Sequence, residues 1–342
     1  MQPVKHILVI RFSSMGDVAM TVPVIKNVLD QNPQVHITVL SAAFFEPLFT
    51  GIERCHFVAA HLKTTHKGLA GIYRLSRQLL AGRRIDAVAD LHNLLRSKML
   101  RCFLKTKRIP AAAIDKGRRA KKALTQTNNK VFTQLTPMHE RYAAVFRELG
   151  ITVELDSSSP ALNQPPLPAA AQALFSSGTK TIGVAPFAQH SEKMYPLEKT
   201  KAVVQQLANS HYRVLLFGAK GREAELLQQW CTEIPNVHAV AGTVSFKEEL
   251  AIISHLHGMI SMDSANMHLA SLYAVPVVSI WGATHPYAGF YGWGQDENNI
   301  VSVNLFCRPC SVFGNKPCYR GDHACMQQVS VPMVVQKVLS VI

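Results

Sequence analysis

The sequence predicts an α/β protein built from two doubly wound, Rossmann-like domains that face each other across a cleft. Three observations predict it. Short Val- and Ile-rich runs alternate with longer stretches of helical periodicity. The alternation stops at a Ser- and Pro-rich stretch near the middle of the chain and then restarts. Finally, 342 residues exceed what one hydrophobic core ordinarily serves.

Taken in order, residues 6–11 read as a buried strand and 13–17 as a loop. Residues 18–30 carry apolar side chains at helical spacing, with Pro23 tolerable only near the first turn. Strands follow at 35–40 and 85–91. Strands separated by helical patterns imply right-handed βαβ units and a parallel sheet. Residues 156–168 lack periodicity and hold Pro165-Pro166, which suits an extended linker. Beyond it, strands are expected at 181–185, 213–217, 238–240, 258–261 and 277–281, with helices at 199–210, 223–233 and 246–255. The domain division is therefore 1–160, a linker region 161–178, and 179–342. In such sheets ligands bind beyond the carboxyl ends of the strands.

Composition narrows the classes. A hydrophobic content of 48% against 17% charged residues excludes bulk disorder. No apolar run approaches the ~20 residues that span a bilayer. The N-terminal apolar stretch 7–10 lies between Lys5 and Arg11 and is too short for a signal-peptide core, so a cytoplasmic protein is expected. The formal net charge is +14, and eleven Lys and Arg fall between Arg96 and Lys122, opposed only by Asp115. Such a one-sided run suits a polyanionic partner better than an idle solvated face. Nucleic acid is disfavoured, because aromatic residues, Phe103 apart, do not interleave with the run as stacking platforms for single strands would require. No G-x-G-x-x-G or G-x-x-x-x-G-K-[ST] is present, so nicotinamide and P-loop chemistry lack support.

Three loops carry the polar residues of interest. Ser13-Ser14-Met15-Gly16-Asp17 joins the first strand to the first helix. There Ser14 and Gly16 can offer groups to an anion, and Asp17 is either a helix N-cap or a general base. Lys193, in Ser191-Glu192-Lys193-Met194-Tyr195-Pro196, is either a surface charge or the neutraliser of a diphosphate. Asp263, Ser264, Ala265 and His268 open a later helix, either as caps or as a phosphate-facing cluster.

Together these segments resemble one family. Met15-Gly16-Asp17-Val18 with Thr21-Val22-Pro23, then Asp90-Leu91-His92 before Arg96-Ser97, then Lys193-x-Tyr195-Pro196, then Asp263-Ser264-x-x-x-His268-x-Ala270 occur in the order found in the lipopolysaccharide heptosyltransferases of glycosyltransferase family 9. The resemblance runs over essentially the whole chain and implies the GT-B type of glycosyltransferase fold. It implies an inverting transfer from ADP-heptose with no obligatory cofactor, and a lipopolysaccharide core acceptor met at the inner face of the inner membrane. By position, Asp17 matches the catalytic base and Lys193 the donor-diphosphate lysine. Asp263, Ser264 and His268 match the donor loop, and Glu223 the ribose-holding glutamate, with Glu225 as the alternative. Arg96, Arg118, Arg119, Lys121 and Lys122 would face the acceptor. Two departures stand out: Ala265 where Gly is usual, and Tyr195 where Trp is usual. Near the C-terminus Cys307-x-x-Cys310, Cys318 and Cys325 are candidates for a structural Zn²⁺ or for free thiols.

Overall fold

A computed structural model describes residues 4–175 and 178–342, so 176–177 of the expected linker lie outside the described residues. The chain forms two compact units, Met1–Lys116 with Met138–Ser157, and Gly117–Pro137 with Ser158–Ile342.

The first unit opens with strand β1 (His6–Ile10), a short helix α1 (Met15–Ala19) and helix α2 (Thr21–Gln31). It continues with β2 (His36–Ser41), β3 (Cys55–Ala59), α3 (Gly68–Gly82), β4 (Ala87–Asp90), α4 (Leu95–Lys105) and β5 (Ala111–Ala113). Helix α5 (Arg118–Leu124) belongs to the second unit, and α6 (Met138–Glu148) completes the first. The five strands pair in parallel in the order β3-β2-β1-β4-β5. Ile7 is level with Ile37 on one side and Ala87 on the other. Ile7 to Ile10 are fully buried, as a central parallel strand covered on both faces requires. Pro23 sits in the first turn of α2, where its missing N–H costs no helical hydrogen bond.

The end of this unit is an extended strip held by side-chain amides. The Gln31 amide donates to the Glu154 carbonyl (2.7 Å) and accepts from the Glu154 N–H (2.8 Å). Asn27 accepts from the Asp156 N–H at 2.9 Å, and Asn32 donates to the Thr152 carbonyl at 2.8 Å. Satisfied in this way, the strip needs no neighbouring strand.

The second unit contains β6 (Thr181–Ala185), α7 (Leu197–Asn209), β7 (Arg213–Leu216), α8 (Arg222–Glu233), β8 (Val237–Ala239) and α9 (Phe246–Ser254). Next come β9 (Gly258–Met262), α10 (Ala265–Ser271), β10 (Val277–Ile280), β11 (Ile300–Val301), α11 (Ala324–Gln327) and α12 (Val331–Val341). The sheet order is β11-β10-β9-β6-β7-β8, all parallel. Helix α9 starts with a capping box: the Glu248 N–H donates to Ser245 Oγ, and the Ser245 N–H donates to the Glu248 carboxylate. The expected linker is shorter than its composition suggests. The Leu162 N–H already donates to the Leu272 carbonyl (2.9 Å), and the Gln164 amide to the Ser254 carbonyl (2.7 Å).

The structure differs from the sequence expectation in where 117–137 goes. This stretch packs on the second unit through long-range contacts. The Lys121 ammonium lies 4.1 Å from the Phe290 ring centroid. The Leu135 N–H donates to the Tyr287 carbonyl at 3.0 Å. Lys130 Nζ donates to the carbonyls of Phe306, Cys307 and Arg308 at 3.1, 2.9 and 2.9 Å.

Candidate functional site

In the first unit the polar centre forms where β1 and β4 end. The first helix begins earlier than its periodicity suggested, and its N-cap is Ser14. Asp17 is therefore not the cap but the third helical residue. Ser14 Oγ donates to Asp17 Oδ2 at 2.8 Å, and the Arg11 guanidinium forms an ion pair with the same oxygen. Arg11 is itself buried and donates to the Leu91 carbonyl at 2.8 Å. The Asp17 carboxylate remains 24% exposed, so an incoming hydroxyl can reach it. Gly16 lies in the same turn, where its N–H and carbonyl run along the helix axis.

Asp90, at the end of β4, is fully buried and organises the second loop. Its Oδ1 accepts from the N–H groups of His92 (3.0 Å) and Asn93 (2.7 Å), and Oδ2 pairs with Arg101 at 2.9 Å. Asn93 takes φ 44°, a left-handed turn that Asn tolerates. The Ser97 hydroxyl accepts from the Leu94 N–H at 3.0 Å and holds the start of α4. His92 packs edge-on to Phe12, with centroids 5.4 Å apart. Burial, with the cations Arg11 and Lys116, pushes its imidazole down to about 4 against a smaller opposing pull from Asp17. At neutral pH His92 is uncharged. His92 is thus a neutral group beside Asp17, and the Asp90 carboxylate is held by Arg101.

In the second unit the two loop motifs come together. Lys193 Nζ pairs with Asp263 Oδ2 at 3.0 Å, with side chains 14% and 8% exposed. The pair joins the loop after β6 to the loop after β9, which are adjacent strands. Ser264 is the N-cap residue of α10, and its hydroxyl lies 3.0 Å from that of Ser261. Ala265 opens the helix with a negative φ, so the absence of Gly introduces no strain. His268 is buried on the same short helix. Tyr195 is no exposed platform: it is 1% exposed and its hydroxyl donates to the Val329 carbonyl at 3.0 Å. Glu223 Oε2 accepts from the Ala219 N–H at 2.7 Å and so holds the loop after β7. A Cβ at Gly218 would meet Phe187, that Glu223 oxygen and Leu227 at 3.1–3.2 Å, a tight fit that these side chains would have to give way to.

Sequence reasoning missed the wall over Lys193. Gly314 has φ 72°, and a Cβ built on it would stand 2.3 Å from Lys193 Cγ. His323 Nδ1 lies 3.0 Å from the Glu192 carboxylate, one residue before Lys193. The buried Arg308 guanidinium anchors this segment through the carbonyls of Gly282, Val303 and Thr284. The only signal was the clustering of Cys, Gly and Pro after residue 305, which left a structural Zn²⁺ and free thiols both open and did not point to packing on the lysine. All seven cysteines are free thiols, and among the described residues no group of three or more His, Cys, Asp or Glu is arranged to hold a metal ion. Arg308 and Lys130, through backbone carbonyls, hold this segment in place.

The basic candidates separate. Arg96 is exposed in the first unit, whereas Arg118, Arg119 and Lys122 are exposed in the second. Lys121 is 5% exposed and turned onto Phe290, so it is a packing residue and not a docking charge. Ser14 and Gly16 stand beside Asp17 in the first unit, while Glu223, Asp263, Ser264, Ala265 and His268 stand in the second.

Residues 72–317 match glycosyltransferase family 9 (heptosyltransferase). The chain is 26% identical over 300 residues to lipopolysaccharide heptosyltransferase 2 of Salmonella typhimurium, covering 82% of this chain and 83% of that one. It spans about half the length of the Campylobacter jejuni lipooligosaccharide heptosyltransferase 2, 52% in one strain. In fold it is similar to a family 9 glycosyl transferase of Veillonella parvula, with TM-score 0.77, 18% identity and coverage of 100% and 98%. It is also similar to Escherichia coli heptosyltransferase WaaC solved with ADP, with TM-score 0.69, 18% identity and coverage of 98% and 100%. The fold is the two-unit, Rossmann-like GT-B type.

Proposed function

The chain belongs to glycosyltransferase family 9, the heptosyltransferases, and on that premise we propose that it transfers a heptose from ADP-heptose to the inner core of lipopolysaccharide, inverting the anomeric carbon. The observation that carries this reading is Asp17, a part-exposed carboxylate fixed by Arg11 and Ser14 at the carboxyl end of a parallel sheet. A carboxylate held in this way, with one face open, suits a general base.

The chemistry follows from the residues. An acceptor hydroxyl gives its proton to Asp17 as its oxygen bonds to the anomeric carbon. The bond from that carbon to the diphosphate oxygen breaks, and ADP leaves with the electron pair. Lys193 meets the growing negative charge on the diphosphate, exchanging its contact with Asp263 for one with phosphate oxygen. Asp263 keeps the ammonium aimed while the site is empty. Ser264 and His268 bind the donor near it, and Glu223 sets the loop that receives the ribose. Arg96, Arg118, Arg119 and Lys122 attract the anionic acceptor, at the cytoplasmic face of the inner membrane. Support for the donor comes from the WaaC relative, solved with ADP and with ADP-2-deoxy-2-fluoro heptose. The reaction as written needs no metal or other cofactor.

A donor panel tests it. With a heptose-free core acceptor, ADP-heptose should add the mass of one heptose, and UDP- or GDP-sugars should add nothing. Transfer from a different nucleotide sugar alone would overturn the donor assignment.

A further inference from the structure

We propose that α3 and α4 of the first unit form an amphipathic face that docks on an anionic lipid bilayer. The two helices pack side by side, with Tyr73 and Phe103 edge-on at 5.4 Å. Their outward side chains are not the polar set of an ordinary surface helix. Leu95 is 74% exposed, Leu69 61% and Tyr73 49%. Residues four apart share a helical face, so Leu69 adjoins Tyr73 on α3, and on α4 Leu95 projects from a row whose next members, Met99 and Phe103, are half-buried against the core beneath. The Tyr73–Phe103 contact joins the two rows into one apolar stripe.

Cations border the stripe. Arg74 and Arg77 on α3, and Lys98 and Lys105 on α4, are exposed, with Lys107 and Arg108 just beyond. No Asp or Glu occurs between Glu53 and Asp86 or between Asp90 and Asp115, so neither helix carries a carboxylate. Among the described residues none of these six cations is in an ion pair, unlike Arg101, which Asp90 holds. A merely solvated basic face would leave the exposed leucines unexplained. A nucleic acid would engage the cations and leave the leucines in water. A bilayer with anionic headgroups satisfies both: phosphates meet the Lys and Arg, and Leu69 and Leu95 enter the acyl boundary.

This deepens the transfer reading and takes its purpose from it, since a lipid-anchored acceptor is met at a membrane surface. The binding itself does not depend on catalysis. The test is co-sedimentation of the full chain with phosphatidylglycerol-containing vesicles and with pure phosphatidylcholine vesicles. Arg96 is left untouched because of its acceptor role. The wild type should pellet only with the anionic vesicles. The R74Q/R77Q/K98Q variant should bind about a hundredfold more weakly, at about fivefold per cation removed. The L69S/L95S variant should lose about tenfold or more. Both variants should keep wild-type thermal melting and wild-type transfer to a short, water-soluble core oligosaccharide. Wild type that ignores anionic vesicles overturns the proposal, as does a leucine variant that binds as wild type does. Intact vesicle binding with no transfer to the soluble acceptor would instead sink the transferase reading and leave the docking face standing.

Discussion

Replacing Lys193 by Met separates what the lysine does for the fold from what it does for the reaction. Its ammonium is 3.0 Å from the Asp263 carboxylate, and both side chains are largely buried, at 14% and 8% exposed. Removing the cation leaves a buried carboxylate without its partner, which costs about 3 kcal/mol, the low end for buried pairs because some solvent still reaches this one. For a domain of this size that is a fall in Tm of about 6–12 °C. Adding Asp263→Asn removes the stranded charge, so the double variant should recover most of the melting temperature. Turnover should not recover. Loss of one charged contact to the departing diphosphate is worth about 1.5–3 kcal/mol, or roughly 10- to 150-fold in kcat. Thermal melts of the four proteins, with kcat at saturating ADP-heptose, complete the cycle. A single variant as stable as wild type, or a double variant that regains turnover, would refute the reasoning.

Two further outcomes follow from the buried groups. Burial pushes the Glu249 carboxyl on α9 up from its ordinary 4.5 to about 7. The folded state therefore binds this proton more tightly than the unfolded one, and stability falls as pH rises from about 4.5 to 7, by up to about 3 kcal/mol. Glu249→Gln should raise Tm above pH 7 and leave it unchanged near pH 4; equal effects at both pH values would contradict the assignment. The thiols should also differ in reactivity. Cys102 is exposed, while burial pushes Cys325 up to about 11 and Cys55 up to about 12. Alkylation at pH 8, read by peptide mass, should label Cys102 well before the other two.

Much of the fold was legible because central parallel strands are apolar runs. Ile7 to Ile10 and the β9 segment Gly258–Met262 announce themselves in this way. Strand β5 did not, since Ala111–Ala113 has little strand preference and is held only by its register with Val88–Asp90. Nor did β3, a half-buried edge strand. The placement of 117–137 was also hidden, because it depends on Lys121 meeting Phe290 and Lys130 meeting the carbonyls of 306–308. Those partners are far away in sequence and carry no pattern.

The candidate site shows the same division. Asp17, Lys193 and Asp263 could be picked out because each lies in the polar segment that follows a strand. Their partners could not. The Arg11–Asp17 pair depends on a guanidinium buried at the end of β1, and reading Asp17 as an N-cap failed because the chain bends into α1 three residues earlier. Gly314 over Lys193 is a long-range packing fact that composition presented as a cysteine cluster.

The account rests most heavily on Asp17 as the base. The direct measurement is single-turnover transfer by wild type and by Asp17→Asn, with ADP-heptose affinity measured by calorimetry on both. The predicted result is a loss of about 10²- to 10⁴-fold in the transfer rate with donor affinity within a few-fold of wild type. A variant that transfers at the wild-type rate would remove Asp17 from the chemistry and the central claim with it.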